Sequence, residues 1–295
     1  MPRRAPAVER SIAVLNLLAA HPGERYTLSE IARDLSVNKA TLHAILWALT
    51  EGGYLIRDPE AKSYSLGPAL VAVGNAALSS FSAVEVARPH MDALATELDL
   101  DVIASTVIHS EIVIVARAGM PRPFGIVLQP GQRLPLIPPL GGVFVAWSGP
   151  DEIEPWIGKL GRISEDTRNR FRGAIEAVKE RGYSVGLEGD AQLLQALRGD
   201  RDQTVEAAVK GLRREEYALI EIDSNATYRL NHVGAPVFGT DGRVALGLFL
   251  IGFQGQVAGQ DVERQAEQLM KAADAVTTAI HGRDPREASE QAVTR

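Results

Sequence analysis

Asn38, Lys39, Ala40, Thr41 and His43 open one face of a helix-patterned run with short or hydrogen-bonding side chains. Lys39, in the first turn, reaches a phosphate or a guanine edge, and its neighbours are small enough to enter a major groove. Arg57 and Lys62 bracket Asp58-Pro59-Glu60-Ala61 and suit contacts to a DNA backbone or minor groove. The same residues also suit an ordinary solvated helix and turn, so the surrounding elements decide between the two readings.

Those elements are legible. Leu28, Ile31 and Leu35 recur at helical spacing, and Thr27 followed by Glu30 forms a capping box that starts a helix. Ser36-Val37-Asn38 breaks the pattern, and Asn38 caps the next helix. That helix carries Leu42, Ile45, Leu46 and Leu49 on one face and stops at Gly52-Gly53. Tyr54-Leu55-Ile56 and Ser63-Tyr64-Ser65-Leu66 then read as the two strands of a hairpin. A preceding helix, Val8–Ala20, places Val8, Ile12, Leu15, Leu18 and Ala19 on its apolar side and ends at His21-Pro22-Gly23. The sum is a winged helix-turn-helix. Trp47 falls off the apolar stripe; core packing is its expected role, with the underside of the wing or an interface as alternatives. Arg3, Arg4 and Arg10 fit either a basic arm or an untethered terminus.

At 295 residues the chain has room for two domains, at roughly 150 residues each. Residues 1–70 hold eight Lys+Arg against seven Asp+Glu, whereas the remainder holds 23 against 30. A net charge of −6 argues against a non-specific nucleic-acid coat and fits phosphate contacts confined to one surface. Hydrophobic residues make up 45%, enough for sizeable cores. Zero cysteines exclude disulfides, thiolate nucleophiles and cysteine-ligated zinc. No apolar run suits a membrane span, and MPRRAPAVERS lacks the apolar region of a signal peptide, so a cytoplasmic location is expected.

Ala69–Ser80 is a small-residue helix that reads as a connector, with the boundary near Phe81-Ser82. The pattern beyond mixes helices and strands. Helices are expected at Val84–Leu98, Leu140–Trp147 (started by Pro138-Pro139), Asp166–Arg181, Gln192–Arg198, Gln203–Glu215 and Asp261–His281. Strands are expected at Val102–Ile108, Ile112–Ala118, Phe124–Leu128, Ala218–Ile222, Val233–Phe238 and Val244–Phe253. Gly282–Arg295 reads as a disordered polar tail. The six histidines show no metal spacing, and no P-loop or G-x-G-x-x-G occurs. An enzyme is therefore not expected, nor a metal or cofactor.

VERSIAVLNLL, TLSEIARDLSVNKATLH and GGYLIRDPEAKSYSLG in the head, with RLPLIPPLGG, KERGYSV and GAPVFGTDGRVALGLFLIGF in the body, resemble the IclR family of bacterial transcription regulators from Val8 to about His281. The resemblance implies an α+β two-domain protein: a winged helix-turn-helix over 1–67, a connector helix over 68–82, a GAF/PAS-like α/β effector-binding domain over 83–282, and a tail over 283–295. It also implies a homodimer or a dimer of dimers. The sequence departs from the family in two places. Ala44 stands where members usually carry Arg. Ile137-Pro138-Pro139-Leu140-Gly141-Gly142-Val143 stands where a loop like H-A-T-A-L-G-K is usual, and a stretch containing Gly186–Arg214 reads as inserted.

The effector pocket is expected around Ile137, Pro139, Leu140, Gly141, Gly142 and Phe144, joined by Asp223 and Asn225, with His232 at a position that lines the pocket in relatives. Gly141 and Gly142 fit two roles, amides that hold an anion at a helix start or relief of a tight turn. His232 likewise fits a structural role. An apolar, proline-rich lining points to an effector larger or more apolar than a short keto acid. The expected function is a sequence-specific regulator, a repressor rather than an activator, bound to a double-stranded DNA operator and controlled by a small apolar or aromatic molecule. The alternative is an effector-insensitive DNA-binding protein whose body only oligomerises.

Overall fold

A computed structural model describes residues 5–21, 23–80, 82–120, 128–188 and 218–286. Two compact units, Met1–Phe81 and Ser82–Arg295, account for the chain. The expected strand at Phe124–Leu128 falls, except for Leu128, outside the described residues. Arg3, Arg4 and the expected helices at Gln192–Arg198 and Gln203–Glu215 lie wholly outside them.

In the first unit, α1 (Pro6–Ala20), α2 (Leu28–Asp34) and α3 (Lys39–Glu51) precede the hairpin of β2 (Leu55–Asp58) and β3 (Ser63–Leu66), and α4 (Ala69–Ser80) closes it. A two-residue strand β1, Tyr26–Thr27, adds to β3 and completes a three-stranded antiparallel sheet in the order β1-β3-β2. Thr27 Oγ1 accepts from the Glu30 N–H while the Glu30 carboxylate accepts from the Thr27 N–H at 2.8 Å. Asn38 Oδ1 accepts from the Thr41 N–H at 2.8 Å and starts α3. Such caps are each worth about 1 kcal/mol. Leu42 and Leu46 of α3 are fully buried among Val14, Tyr26, Ile31 and Leu55.

Two expectations for this unit are corrected. Val8 and Ile12 are 56% and 52% exposed, because the α1 residues in the core all lie between Val14 and Leu18. Trp47 is 63% exposed and not in the core. It follows the inward-facing Leu46 by one residue, which turns it about 100° around the helix.

The second unit is built on a six-stranded antiparallel sheet in the order β6-β5-β4-β10-β9-β7. Its strands are β4 (Asp101–Ile108), β5 (Glu111–Ala118), β6 (Arg133–Pro135), β7 (Ser184–Leu187), β9 (Leu230–Phe238) and β10 (Val244–Ile251). β8 (Thr227–Tyr228) and β11 (Val257–Ala258) form a separate pair. Helix α5 (Ser82–Leu98) and the long closing helix α9 (Gly259–Ala279) pack on the sheet and on each other. A single turn α6 (Gly142–Val145), α7 (Pro150–Gly158) and α8 (Glu165–Arg181) form a second group. Alternation along β9 and β10 puts His232 and Gly234 on one face with Gly247 and Phe249. Phe144 of α6 packs on that face, its ring 6.3 Å from that of Phe249.

The body also departs from expectation. Ala218–Ile222 is not a strand but makes one antiparallel bridge, Ala218 to Gly186, at the end of the short edge strand β7. The helix expected from Leu140 shrinks to Gly142–Val145 and starts after Gly141, whose φ of +89° is outside helical range. That left-handed φ favours glycine at this position, since a Cβ would meet only the movable ends of the Leu136 and Ile112 side chains. The start of the expected tail is held in place, with Arg286 bonded to Asp284 and Asp274.

Candidate functional site

The head exposes polar side chains on α3 and on the wing. Lys39, Ala40, His43 and Ala44 are exposed on α3, with Thr41 half-buried. Asn38 is exposed, but its side-chain oxygen is engaged in capping the helix. The first two turns of α3 therefore offer an exposed face on which short side chains alternate with His43, led by a lysine in the first turn. Such a face fits a groove about 12 Å wide. Arg57 and Lys62 are exposed on the wing. The turn between them is organised by Asp58, whose Oδ1 accepts from the Glu60 and Ala61 N–H groups at 3.0 Å each. The Ala61 N–H foremost, with Glu60 and the Arg25 guanidinium adding and partial burial opposing, holds the Asp58 carboxyl below the usual carboxylate range.

The body contains an open cleft whose atom-free space, counted out into the solvent at its mouth, is about 480 Å³. Pro139, Gly141, Gly142 and His232, all expected at a pocket, line it. Ile137, Leu140 and Phe144 are not among its lining residues. Leu140 and Phe144 belong to the apolar cluster beside it, and the Leu140 carbonyl accepts from Trp156 Nε1 at 3.2 Å. Asp223 and Asn225 sit in an exposed turn, where Asp223 Oδ1 accepts from the Asn225 N–H at 2.8 Å, away from the lining. The Gly141 carbonyl accepts from the Phe144 and Val145 N–H groups. With only one helical turn behind them, the glycine amides carry little of a helix dipole.

The cavity's charge comes from a residue that sequence reasoning missed. Arg181, the last residue of α8, lines it. Its Nε–H donates to the Tyr183 carbonyl at 2.7 Å, one Nη to the Ile220 carbonyl at 3.2 Å, and the guanidinium lies 5.1 Å from the Tyr183 ring centre. Burial pulls the group below its ordinary pKa, although arginine stays protonated at any physiological pH. A basic residue just before a terminating glycine normally answers the helix dipole, and that local explanation hid its second role. Apart from Ser184 and His232 the rest of the wall is apolar, with Trp156, Phe171, Ile175 and Phe249 prominent.

His232 packs edge-on against Phe249 at 5.6 Å. Burial foremost, with the nearby Arg181 charge, lowers its pKa from 6.5 to about 4. It is therefore a neutral imidazole near pH 7, able to donate from one ring nitrogen and accept at the other. An unfolded histidine binds a proton below pH 6.5 that the native one refuses until about pH 4, so stability falls as pH drops through that window. The effect is at most about 3 kcal/mol, less whatever water the cavity mouth admits. The acid-induced fall in thermal midpoint between these pH values should accordingly be shallower in His232→Gln than in the wild type. Equal slopes would contradict the assignment.

Among the described residues no group of histidine and acidic side chains could hold a metal, and no helix is long and apolar enough to cross a membrane. Two family models match the chain in order: the IclR helix-turn-helix domain at residues 7–59 and the bacterial transcriptional regulator IclR C-terminal domain at residues 75–209. The chain is 28% identical to the DNA-binding transcriptional repressor YiaJ of Escherichia coli over 174 residues, spanning 57% of this chain and 60% of that repressor. The fold matches an IclR transcriptional regulator from Alicyclobacillus acidocaldarius with a TM-score of 0.70 at 22% identity, over 94% of this chain and 100% of that one. It also matches an IclR homolog from Microbacterium hydrocarbonoxydans complexed with 4-hydroxybenzoate, TM-score 0.64 at 18% identity, over 93% and 99% of the two chains. With both domain models of one family matched in sequence order, and with the fold to go with them, the chain belongs to the IclR family of bacterial transcriptional regulators.

Proposed function

We propose that the protein is a cytoplasmic repressor that binds an operator as a homodimer or a dimer of dimers and is controlled by an apolar organic acid. The observation that carries the effector half is Arg181 in a cavity walled mostly by aromatic and aliphatic side chains, beside Ser184 and a neutral His232. Such a lining rewards an apolar body and one carboxylate, which pairs with a guanidinium fork. A structural neighbour complexed with 4-hydroxybenzoate supports an acid of that kind. The DNA half rests on the exposed Lys39–His43 face and the wing charges Arg57 and Lys62. Control follows if the effector binds one arrangement of the assembled protein better than another, shifting the population toward it.

Selection of duplexes from a randomised pool, followed by footprinting, tests the DNA half. A pseudo-palindromic site is expected, with half-sites about one helical turn apart or a multiple of it. Lys39→Ala should weaken binding to the selected duplex by roughly tenfold or more, the loss of 1–3 kcal/mol expected for a phosphate or guanine contact. Binding that is indifferent to sequence and lost only with salt would overturn the reading.

A further inference from the structure

The exposed indole of Trp47 has no role in the packing of the head. On α3 the residues Ala40, His43, Ala44, Trp47, Ala48 and Glu51 recur three and four apart, and all are exposed. The buried Leu42, Ile45 and Leu46 lie on the opposite side. Trp47 therefore continues the face that Lys39 and His43 begin. Ala44 and Ala48, its neighbours one turn back and one position on, carry single methyls, so the indole stands above its surroundings.

Seven residues separate Ala40 from Trp47, about 10 Å along a helix axis, close to the major groove's width of about 12 Å. A helix whose first turn meets base edges carries Trp47 to the lip of the groove, where sugars and phosphates lie. We propose that Trp47 is a DNA-contact residue, its Nε1–H donating to a backbone phosphate and its ring packing on a deoxyribose. The proposal rests on α3 being the DNA-reading helix. A second protein copy is a poorer occupant, because the α3 face offers no large apolar side chain beside the indole. Its only cation, Lys39, and the indole N–H complement a polyanion. Glu51, the one acid on this face, lies a turn beyond Trp47 and marks where the contact ends.

The test uses the full-length chain, a duplex selected by the wild type from a randomised pool, and a mixed-sequence duplex of equal length. A backbone contact carries no sequence information, so Trp47→Ala should weaken both duplexes in the same proportion, by about tenfold. Trp47→Phe, which keeps a ring but loses the N–H, should lose about threefold. A second readout is independent of affinity. Trp156 is 4% exposed and Trp147 half-buried, so acrylamide quenching of the wild type reports mainly on Trp47. Saturating duplex should protect that emission, and the thermal midpoint and sedimenting mass of Trp47→Ala should match the wild type. Wild-type affinity in Trp47→Ala, quenching unchanged by duplex, or an altered sedimenting mass would each overturn the proposal. If Lys39→Ala weakens binding while Trp47→Ala does not, the Trp47 contact alone fails. If both variants bind like the wild type, the reading of α3 fails with it.

Discussion

Asp101→Ala is expected to destabilise the second unit by about 3–5 kcal/mol, the effect of leaving a buried charge without its partner. Asp101 begins β4 and Arg117 stands near the end of β5, across one hairpin pair. Their side chains are 4% and 8% exposed, and an Arg117 Nη donates to Asp101 Oδ2 at 2.9 Å. Among the described residues, the buried Asp101 Oδ1 and Arg117 Nε have no hydrogen-bond partner. Removing the carboxylate thus strands a guanidinium that is already short of acceptors. The double variant Asp101→Ala/Arg117→Met should recover most of the loss, since an apolar pair of similar bulk avoids desolvating either charge. Urea unfolding followed by emission of the buried Trp156 measures both variants. A double variant no more stable than Asp101→Ala would show that the pair is not coupled in this way.

On the proposed function, Arg181→Met is expected to weaken binding of an aromatic carboxylate such as 4-hydroxybenzoate by roughly 10- to 100-fold, the loss of charge-assisted hydrogen bonds to a guanidinium. Two of arginine's five N–H groups are taken by the Tyr183 and Ile220 carbonyls, which hold the fork in place, and the other three have no partner among the described residues. Arg181→Lys keeps the charge but not the fork and should fall between the two. Phenol, which lacks the carboxylate, separates recognition from damage to the cavity: it should bind wild type and Arg181→Met alike. Calorimetric titration measures all of these. An Arg181→Met variant that holds the acid as tightly as the wild type would remove Arg181 from the site.

The head was legible in the sequence because its signals are local. Thr27 and Glu30, Asn38, and Gly52-Gly53 mark helix ends by hydrogen bonds or backbone angles that short stretches determine. Periodicity went astray where burial depends on what lies opposite. Val8 and Ile12 repeat correctly but extend past the core, and Trp47 has the composition of a core residue on a face that nothing in the head covers. In the body, β4, β5, β9 and β10 are long enough to show their pattern, whereas edge strands of three or four residues such as β6 and β7 are not. The cavity was half visible. Pro139, Gly141, Gly142 and His232 line it, but Asp223 and Asn225 do not, since an isolated polar pair after an apolar run says little about direction. Arg181 escaped because sequence proximity ties it to the end of α8, while its place beside His232 is created only by the pairing of β7 with β9.

On the proposed function, a ligand in the Arg181–His232 cavity alters DNA binding by the head. The most direct test is a titration of the selected duplex with full-length protein, with and without saturating 4-hydroxybenzoate or a related aromatic carboxylate, read by fluorescence anisotropy. A change in DNA affinity of roughly 5- to 150-fold is expected, the usual span of such coupling, abolished in Arg181→Met. Coincident binding curves across a panel of aromatic carboxylates, in wild type and variant alike, would contradict it.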